Sequence, residues 1–300
     1  MASSGAWANL LEPGLRAIFY KQRDALVQQS LIPSLFNVQT SQRASEEFLG
    51  VGGFGDWEAY TGEIAFDDFN QGYKTTLTHV EYTKGFKVER KLYDDDLYGV
   101  INQRPQGLAM GAMRTKEKHA ASVFNNAFSS SYVGGDAVSL CNASHPYSPV
   151  NPTVQGNAGS TALSYDAVIA TELLMRAYKD DRGELVTILP DTILVPPALA
   201  ETAWTIVNSM NKPGTADNDG NYVRSQGWNV VVWRYLTDAN NWFMIDSGMA
   251  KQFLYWLDRV PLEFTMDPTS DFNLEARFRG YMRYSYGWSD WVWLYGHAVS

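Results

Sequence analysis

Polar and apolar positions alternate through THVEYTKGFKVERKL, where Val80, Tyr82, Phe86 and Val88 share one parity. A period of two marks a half-buried strand, and the Lys84-Gly85 pair predicts either a hairpin or one long bent strand. After Pro105, a residue suited to the first turn of a helix, the period lengthens. Leu108, Ala109, Ala112, Met113, Ala120, Val123, Phe124 and Ala127 then fall on one face, with Arg114, Lys118 and Asn125 opposite. This spacing predicts a helix of roughly 20 residues. Ser164 stands where an N-cap belongs for a helix over Tyr165 to Lys179, closed by Asp-Arg-Gly at Gly183. LVTILPDTILVPP reads as strand, leading through Pro197 into a helix over Ala198 to Asn208.

Asn211 to Asn221 has the composition of a surface loop, and everything beyond it reads as strands. These are WNVVVWRYL, NWFMID, FLYWL and a long alternation from Phe272 to Trp293. Near the N-terminus an amphipathic stretch, Leu15 to Val27, breaks at Pro33. The glycine-rich Gly50 to Glu63 follows without periodicity, which predicts a flexible segment. No fixed-period repeat is present. Helices among mostly antiparallel strands predict an α+β fold.

Composition narrows the function classes. The 300 residues are 45% hydrophobic and 14% aromatic, enough for one large domain or two modest ones with a sizeable core. A single cysteine excludes an internal disulfide. No basic residue precedes Arg16, so the N-terminus does not read as a secretory signal, and no apolar run is long enough for a membrane helix. The chain is therefore expected to be soluble and made in a reducing cytoplasm. A net charge of −9 argues against a DNA binder that works by neutralising phosphates. The longest acidic run, Asp94 to Asp96, reads as a solvated helix start.

Each short chemical motif in the chain also has a plain structural reading. Gly50, Gly52 and Gly55 spell the dinucleotide fingerprint, but its mechanism needs a strand before and a helix after, and neither flank reads that way. Asp217, Asp219 and Gly220 look like part of a calcium loop, yet Thr215 and Gln226 occupy positions where acidic ligands belong. SLCNASHPYSP places the only cysteine, Cys141, four residues from His145, one of four histidines. A zinc site needs two further ligands, while His79, His119 and His297 stand alone in a strand, a helix and the C-terminal tail. A thiol hydrolase using Cys141 and His145 needs a nucleophile at a helix start with a base in reach, and no helix is expected there. Asn142-Ala143-Ser144 matches a glycosylation sequon but lacks a secretory context. The ten tryptophans and seventeen tyrosines could line a glycan-binding surface; core and subunit contacts explain them more simply. No catalytic, cofactor or metal residue is assigned, and no cofactor is expected.

The order of elements carries more information. FKVERKLYDDDLYGV, Phe86 to Val100, and RTKEKHAASVFNNAF, Arg114 to Phe128, are followed by L-x-N-x-x-H-P at Leu140 to Pro146. PDTILVPPALAETAWTIVNS, Pro190 to Ser209, then precedes YLTDANNWFMID and the FTMDPTSD to RFRGYMRYSYGWSDW passage. In this order they resemble tailed-bacteriophage major capsid proteins with the Hong Kong 97 fold, and more closely the Mu-like major head subunit group. Cys141 occupies a place that is usually aromatic in that pattern, and the first 50 residues match least.

The resemblance implies an N-terminal arm over 1–50, an extended loop over 51–92 and a peripheral domain with a spine helix over 93–160. It further implies a mainly axial domain over 161–270 and a closing peripheral-domain strand over 271–300. The implied function is a structural, non-enzymatic head protein that self-assembles into hexamers and pentamers of an icosahedral shell around double-stranded DNA. A nanocompartment shell is the alternative. Implied partners are further copies of the chain, a separate scaffolding protein, a portal, decoration proteins and non-specifically contacted DNA, with no membrane. The implied location is the virion, after synthesis in the host bacterial cytoplasm. The separate scaffold is expected because about 50 residues before the loop are too few for the long cleaved segment of some relatives, unless the chain is already trimmed. Some relatives crosslink through a lysine; Lys74, Lys84 and Lys87 lie in the loop region, without an alignable acceptor, and are read as ordinary exposed lysines.

Overall fold

The computed structural model describes residues 7–57, 59–62, 64, 66, 68, 70–95, 99–215, 219–267 and 274–300. The N-terminal half contains α1 (Trp7–Val27), α2 (Ile32–Leu35), β1 (Asn37–Thr40), β2 (Ser45–Val51), β3 (Gln71–Thr78), β4 (Val80–Glu89), α3 (Arg90–Asp94) and α4 (Val100–Asn125). Three two-residue strands follow: β5 (His145–Pro146), β6 (Val154–Gln155) and β7 (Ala158–Gly159). Next come α5 (Tyr165–Arg176), β8 (Thr192–Val195), α6 (Ala200–Asn208), α7 (Tyr222–Ser225), β9 (Asn229–Val232) and β10 (Trp242–Ile245). The chain closes with α8 (Ser247–Phe253), β11 (Leu254–Met266), β12 (Glu275–Trp288) and β13 (Leu294–His297).

Two sheets organise these elements. The first has the order β1-β11-β12-β4, antiparallel except for the parallel β1–β11 pair. Its inner face is aromatic: Trp256 stacks on Tyr284 at 4.7 Å and Phe264 on Phe278 at 5.7 Å. Helix α4 lies against it, with His119 Nδ1 2.8 Å from the Tyr284 hydroxyl and Lys116 Nζ 2.9 Å from Asp258. Helix α1 joins this layer through Phe19, whose ring stacks on Phe264 at 4.9 Å.

The second sheet has the order β7-β13-β10-β8-β9. Trp242, Phe243, Met244 and Ile245 of β10 are all buried, as expected for a central strand covered on both faces. Helix α5 packs against β10 and β13, and α6 against β8 and β9. Phe124, near the end of α4, meets Trp233, Phe243 and Trp293 edge-on at 5.5–6.1 Å and so ties the spine to this second core.

Several expected elements take a different form. Helix α4 starts at Val100, so Pro105 lies inside it rather than in its first turn. Of the two forms expected around Lys84-Gly85, Val80 to Glu89 takes the one long strand and not the hairpin. Gly85 serves a close approach there: a Cβ would lie 2.5 Å from the Phe278 carbonyl oxygen of β12. Ser164 does cap α5, its hydroxyl accepting from Ala167 N at 3.2 Å, but the helix stops at Arg176. Only Thr192–Val195 of the long apolar segment before Pro196 is strand. The region after Asn221 is not all strand, because Asn221 and Asp246 each cap a short helix, α7 and α8. His297 lies within β13 rather than in a tail. Asp96, Asp217 and residues 268–273, including Phe272, lie outside the described residues.

Candidate assembly interface

Strands β2 and β3 form a separate antiparallel ribbon, running from Ser45 opposite Thr78 to Val51 opposite Gln71. Its base rests on the body, where Phe48 stacks over Tyr255 at 4.0 Å. Lys74 and Glu47 pair across it at 2.8 Å. Between the two strands the chain makes a long excursion, and among its described residues the large apolar side chains face water. Trp57 is 99% exposed, Phe66 92% and Tyr60 76%, with Phe54 and Ile64 exposed beside them. An isolated exposed apolar residue is ordinary. A cluster on one projecting segment marks a surface that another molecule covers.

The chemical candidates have the opposite character. Cys141 is a buried free thiol whose pKa is pushed well up by burial, and its sulfur packs where a Cβ on Gly296 would come within 2.6 Å. A nucleophile needs the thiolate, which this environment disfavours. His145 is committed elsewhere: Nδ1 lies 2.6 Å from Asp136, Nε2 lies 3.1 Å from Asn157 Oδ1, and the ring stacks on Trp291 at 4.4 Å. Asn157 fixes the same turn by accepting from Asn142 N at 2.8 Å and donating to the Leu140 carbonyl at 2.8 Å. The turn is a structural joint beyond the spine, and the thiol-hydrolase geometry is absent from it.

The other histidines are held in the same way. His79 lies between the hydroxyls of Ser41 and Ser285, each at 2.9 Å. His297 contacts Thr171 Oγ1 at 2.9 Å, accepts from Thr161 N at 3.2 Å and stacks on Trp242 at 4.2 Å. Burial lowers the pKa of His79 and His119, and that of His297 to about 4. Among the described residues no group of three or more His, Cys, Asp or Glu is arranged to hold a metal ion. No helix among them is long and apolar enough to cross a membrane.

The glycine fingerprint does follow a strand, β2, contrary to the sequence reading, but no helix follows it among the described residues up to α3. Gly50 serves the ribbon: a Cβ on Gly72 across from it would lie 2.8 Å from the Gly50 carbonyl carbon. Of the calcium-like loop, Gly220 forms a bridge with Asn211, and the Asp219 carbonyl accepts from Lys212 N at 2.9 Å. Lys87 pairs with Glu275 at 3.2 Å, whereas Lys84 is exposed. The sequence flagged the glycine-rich segment as flexible and the resemblance made it an extended loop laid over a neighbour, but neither singled out Trp57, Tyr60 and Phe66; their density among glycines was the available signal.

Among the described residues the candidate thiol and the four imidazoles are held by their own fold, while one apolar segment is exposed, so the surface is where this chain can meet other molecules. The comparisons with known proteins agree. A sequence model of the phage capsid protein family matches residues 72–296, and the chain belongs to that family. No curated protein matches it. The capsid of bacteriophage JBD30 decorated with minor capsid protein trimers superposes with a TM-score of 0.57 at 16% identity, covering 69% of this chain and 91% of that one. The capsid of cyanophage P-SCSP1u gives 0.56 at 13% identity, covering 90% and 88%. A virus-like particle from Pyrococcus furiosus gives 0.56 at 10% identity, covering 96% and 99%. At such identities the likeness is one of fold, the Hong Kong 97-like fold. With the family membership it establishes a major capsid structural role.

Proposed function

We propose that copies of this chain assemble as hexamers and pentamers into an icosahedral shell that encloses phage double-stranded DNA. The observation that carries this reading is the exposure of Trp57, Tyr60, Ile64 and Phe66 on one projection, side chains that a neighbouring copy would bury. The projection and β3 act as the extended loop (51–92), with β2, mostly from the N-terminal arm (1–50), paired alongside. Helix α4 and the first sheet form the peripheral body, in which β1 from the arm, β4 from the loop segment and β11 from 161–270 join 93–160 and 271–300. The second sheet forms the axial part, mainly 161–270 with β7 and β13 added. The Asn211–Arg224 region then lies toward the capsomer axis. Membership of the Mu-like group rests on the sequence resemblance alone.

The subunit is made in the bacterial cytoplasm and ends in the virion. A separate scaffolding protein, a portal and decoration proteins are its partners. Its net charge of −9 suits a wall that contacts DNA without adsorbing it, since a strongly basic lining would hold the genome by counterion release. Electron microscopy of the protein expressed with its neighbouring gene products tests the reading: closed icosahedral particles containing DNA are the expected result. Particles filled with an enzyme would instead establish a nanocompartment, and a monomer at high concentration would overturn both.

A further inference from the structure

The ribbon is held at its base by packing, but at its outer end by a polar clasp. Asp180 builds a tight turn after α5: its Oδ1 accepts from Arg182 N and Glu184 N, both at 2.9 Å, and Gly183 takes φ +91°. This turn is braced from behind. Gln155 and Lys179 exchange hydrogen bonds of 2.7 and 3.0 Å, and Asn151 Nδ2 donates to the Asp181 carbonyl at 2.9 Å.

Asp181 and Arg182 then grip both arms of the projection where they leave the ribbon. Gly53 N donates to Asp181 Oδ1 at 3.0 Å, and Asn70 Nδ2 donates to Oδ2 at 3.4 Å. From the neighbouring residue, Arg182 Nε donates to the Gly53 carbonyl at 2.7 Å and Nη2 to the Asp68 carbonyl at 2.9 Å. Glycine is what lets the strands come so close: a Cβ on Gly53 would lie 3.0 Å from Asp180 Oδ2, and one on Gly52 would overlap the Asp181 carboxylate. A cavity of about 230 Å³, lined in part by Gly50, Gly72, Tyr73 and Trp288, lies beside the clasp.

We infer that Asp181 and Arg182 are positioning residues for assembly: their clasp fixes the direction in which Trp57, Tyr60 and Phe66 leave the free subunit. The inference rests on the shell reading above. A projection aimed in advance does not lose its orientational freedom at the moment of docking, so uniform contacts form faster than competing ones. Charge-assisted bonds to backbone groups can do this where no apolar core reaches, and they can release without unfolding the body.

Hydrogen–deuterium exchange on the free full-length subunit, paired with electron microscopy of assembly reactions, tests the inference. Asp181→Ala removes the clasp from one side and Gly52→Ala wedges it open from the other, while Asp181→Asn keeps the acceptor for Gly53 N. The first two variants should exchange the Gly52 and Gly53 amides and the ribbon amides beside them about tenfold faster, with body amides unchanged, and should give particles of mixed size. Asp181→Asn should restore most of the protection and the uniformity. Unchanged exchange in both disruptive variants would overturn the clasp. Faster exchange with particles as uniform as those of the unaltered chain would overturn its role in assembly. If the unaltered chain forms no particles at all, the shell reading fails, and the exchange result still decides the clasp.

Discussion

The body and the projection use the same residue types in opposite ways. In the body Trp256, Tyr284 and Trp293 are buried, and their rings stack or meet edge-on with neighbours from other elements. In the projection Trp57, Tyr60 and Phe66 stand in water. The body's aromatic residues complete their environment within one chain, so they stabilise the subunit. Those of the projection have no such environment until a second molecule arrives, so their burial would stabilise an assembly. One composition thus divides into a folding term and an association term according to where the chain carries it.

The sharpest way to break this comparison is to truncate one member on each side. Trp293→Ala should lower the unfolding free energy of the free subunit by about 3–5 kcal/mol in a denaturant titration. A loss below about 1 kcal/mol would mean that this core repacks easily.

Acid should act on the body next. The folded pKa of His79, His119 and His297 is depressed by burial, His297 to about 4, so between that value and the ordinary imidazole range near 6.5 the unfolded chain binds more protons. The contribution of His297 is full above about pH 6.5 and is lost as the pH falls toward 4, and His79 and His119 act in the same direction. The denaturant midpoint should therefore drop across that window. His297→Gln should remove part of the slope, on the order of 2 kcal/mol after allowance for solvent screening.

Smaller effects follow from backbone fit. Gly85→Ala forces a methyl against the Phe278 carbonyl in the β4–β12 ladder and should cost about 1–3 kcal/mol. Ser164→Ala removes the cap of α5 and should cost about 1 kcal/mol, read from thermal unfolding. Trp57→Ala completes the series: subunit stability should change by less than about 0.5 kcal/mol, while the yield of assembled particles falls sharply. A large stability change there would show that the projection packs on its own body.

Much of the body was legible because its periodicities are long. The apolar face of α4 from Leu108 to Ala127 and the Ser164 cap follow from local rules, and the alternation in β4 lies within one strand. The short helices α7 and α8 were not legible, since four and seven residues show too little periodicity to compete with the strand-rich sequence around them. The Lys84-Gly85 pair pointed toward a turn because glycine is a turn residue; the reason for glycine there is the neighbouring strand, which lies nearly 200 residues away in sequence. Cys141 and His145 are four residues apart in the chain, yet they have different partners, Gly296 for one and Asp136, Asn157 and the distant Trp291 for the other.

By itself the sequence determined the α+β content, the long spine, the absence of a disulfide and the family resemblance, because these depend on local periodicity, counts and motif order. Only the tertiary structure decided that the candidate cysteine and histidine are packing residues, that Asp181 and Arg182 grip the loop, and that Trp57 and Phe66 stay exposed on the free subunit. Burial and hydrogen-bond partnership arise from contacts between segments far apart in the chain, and no local pattern specifies them.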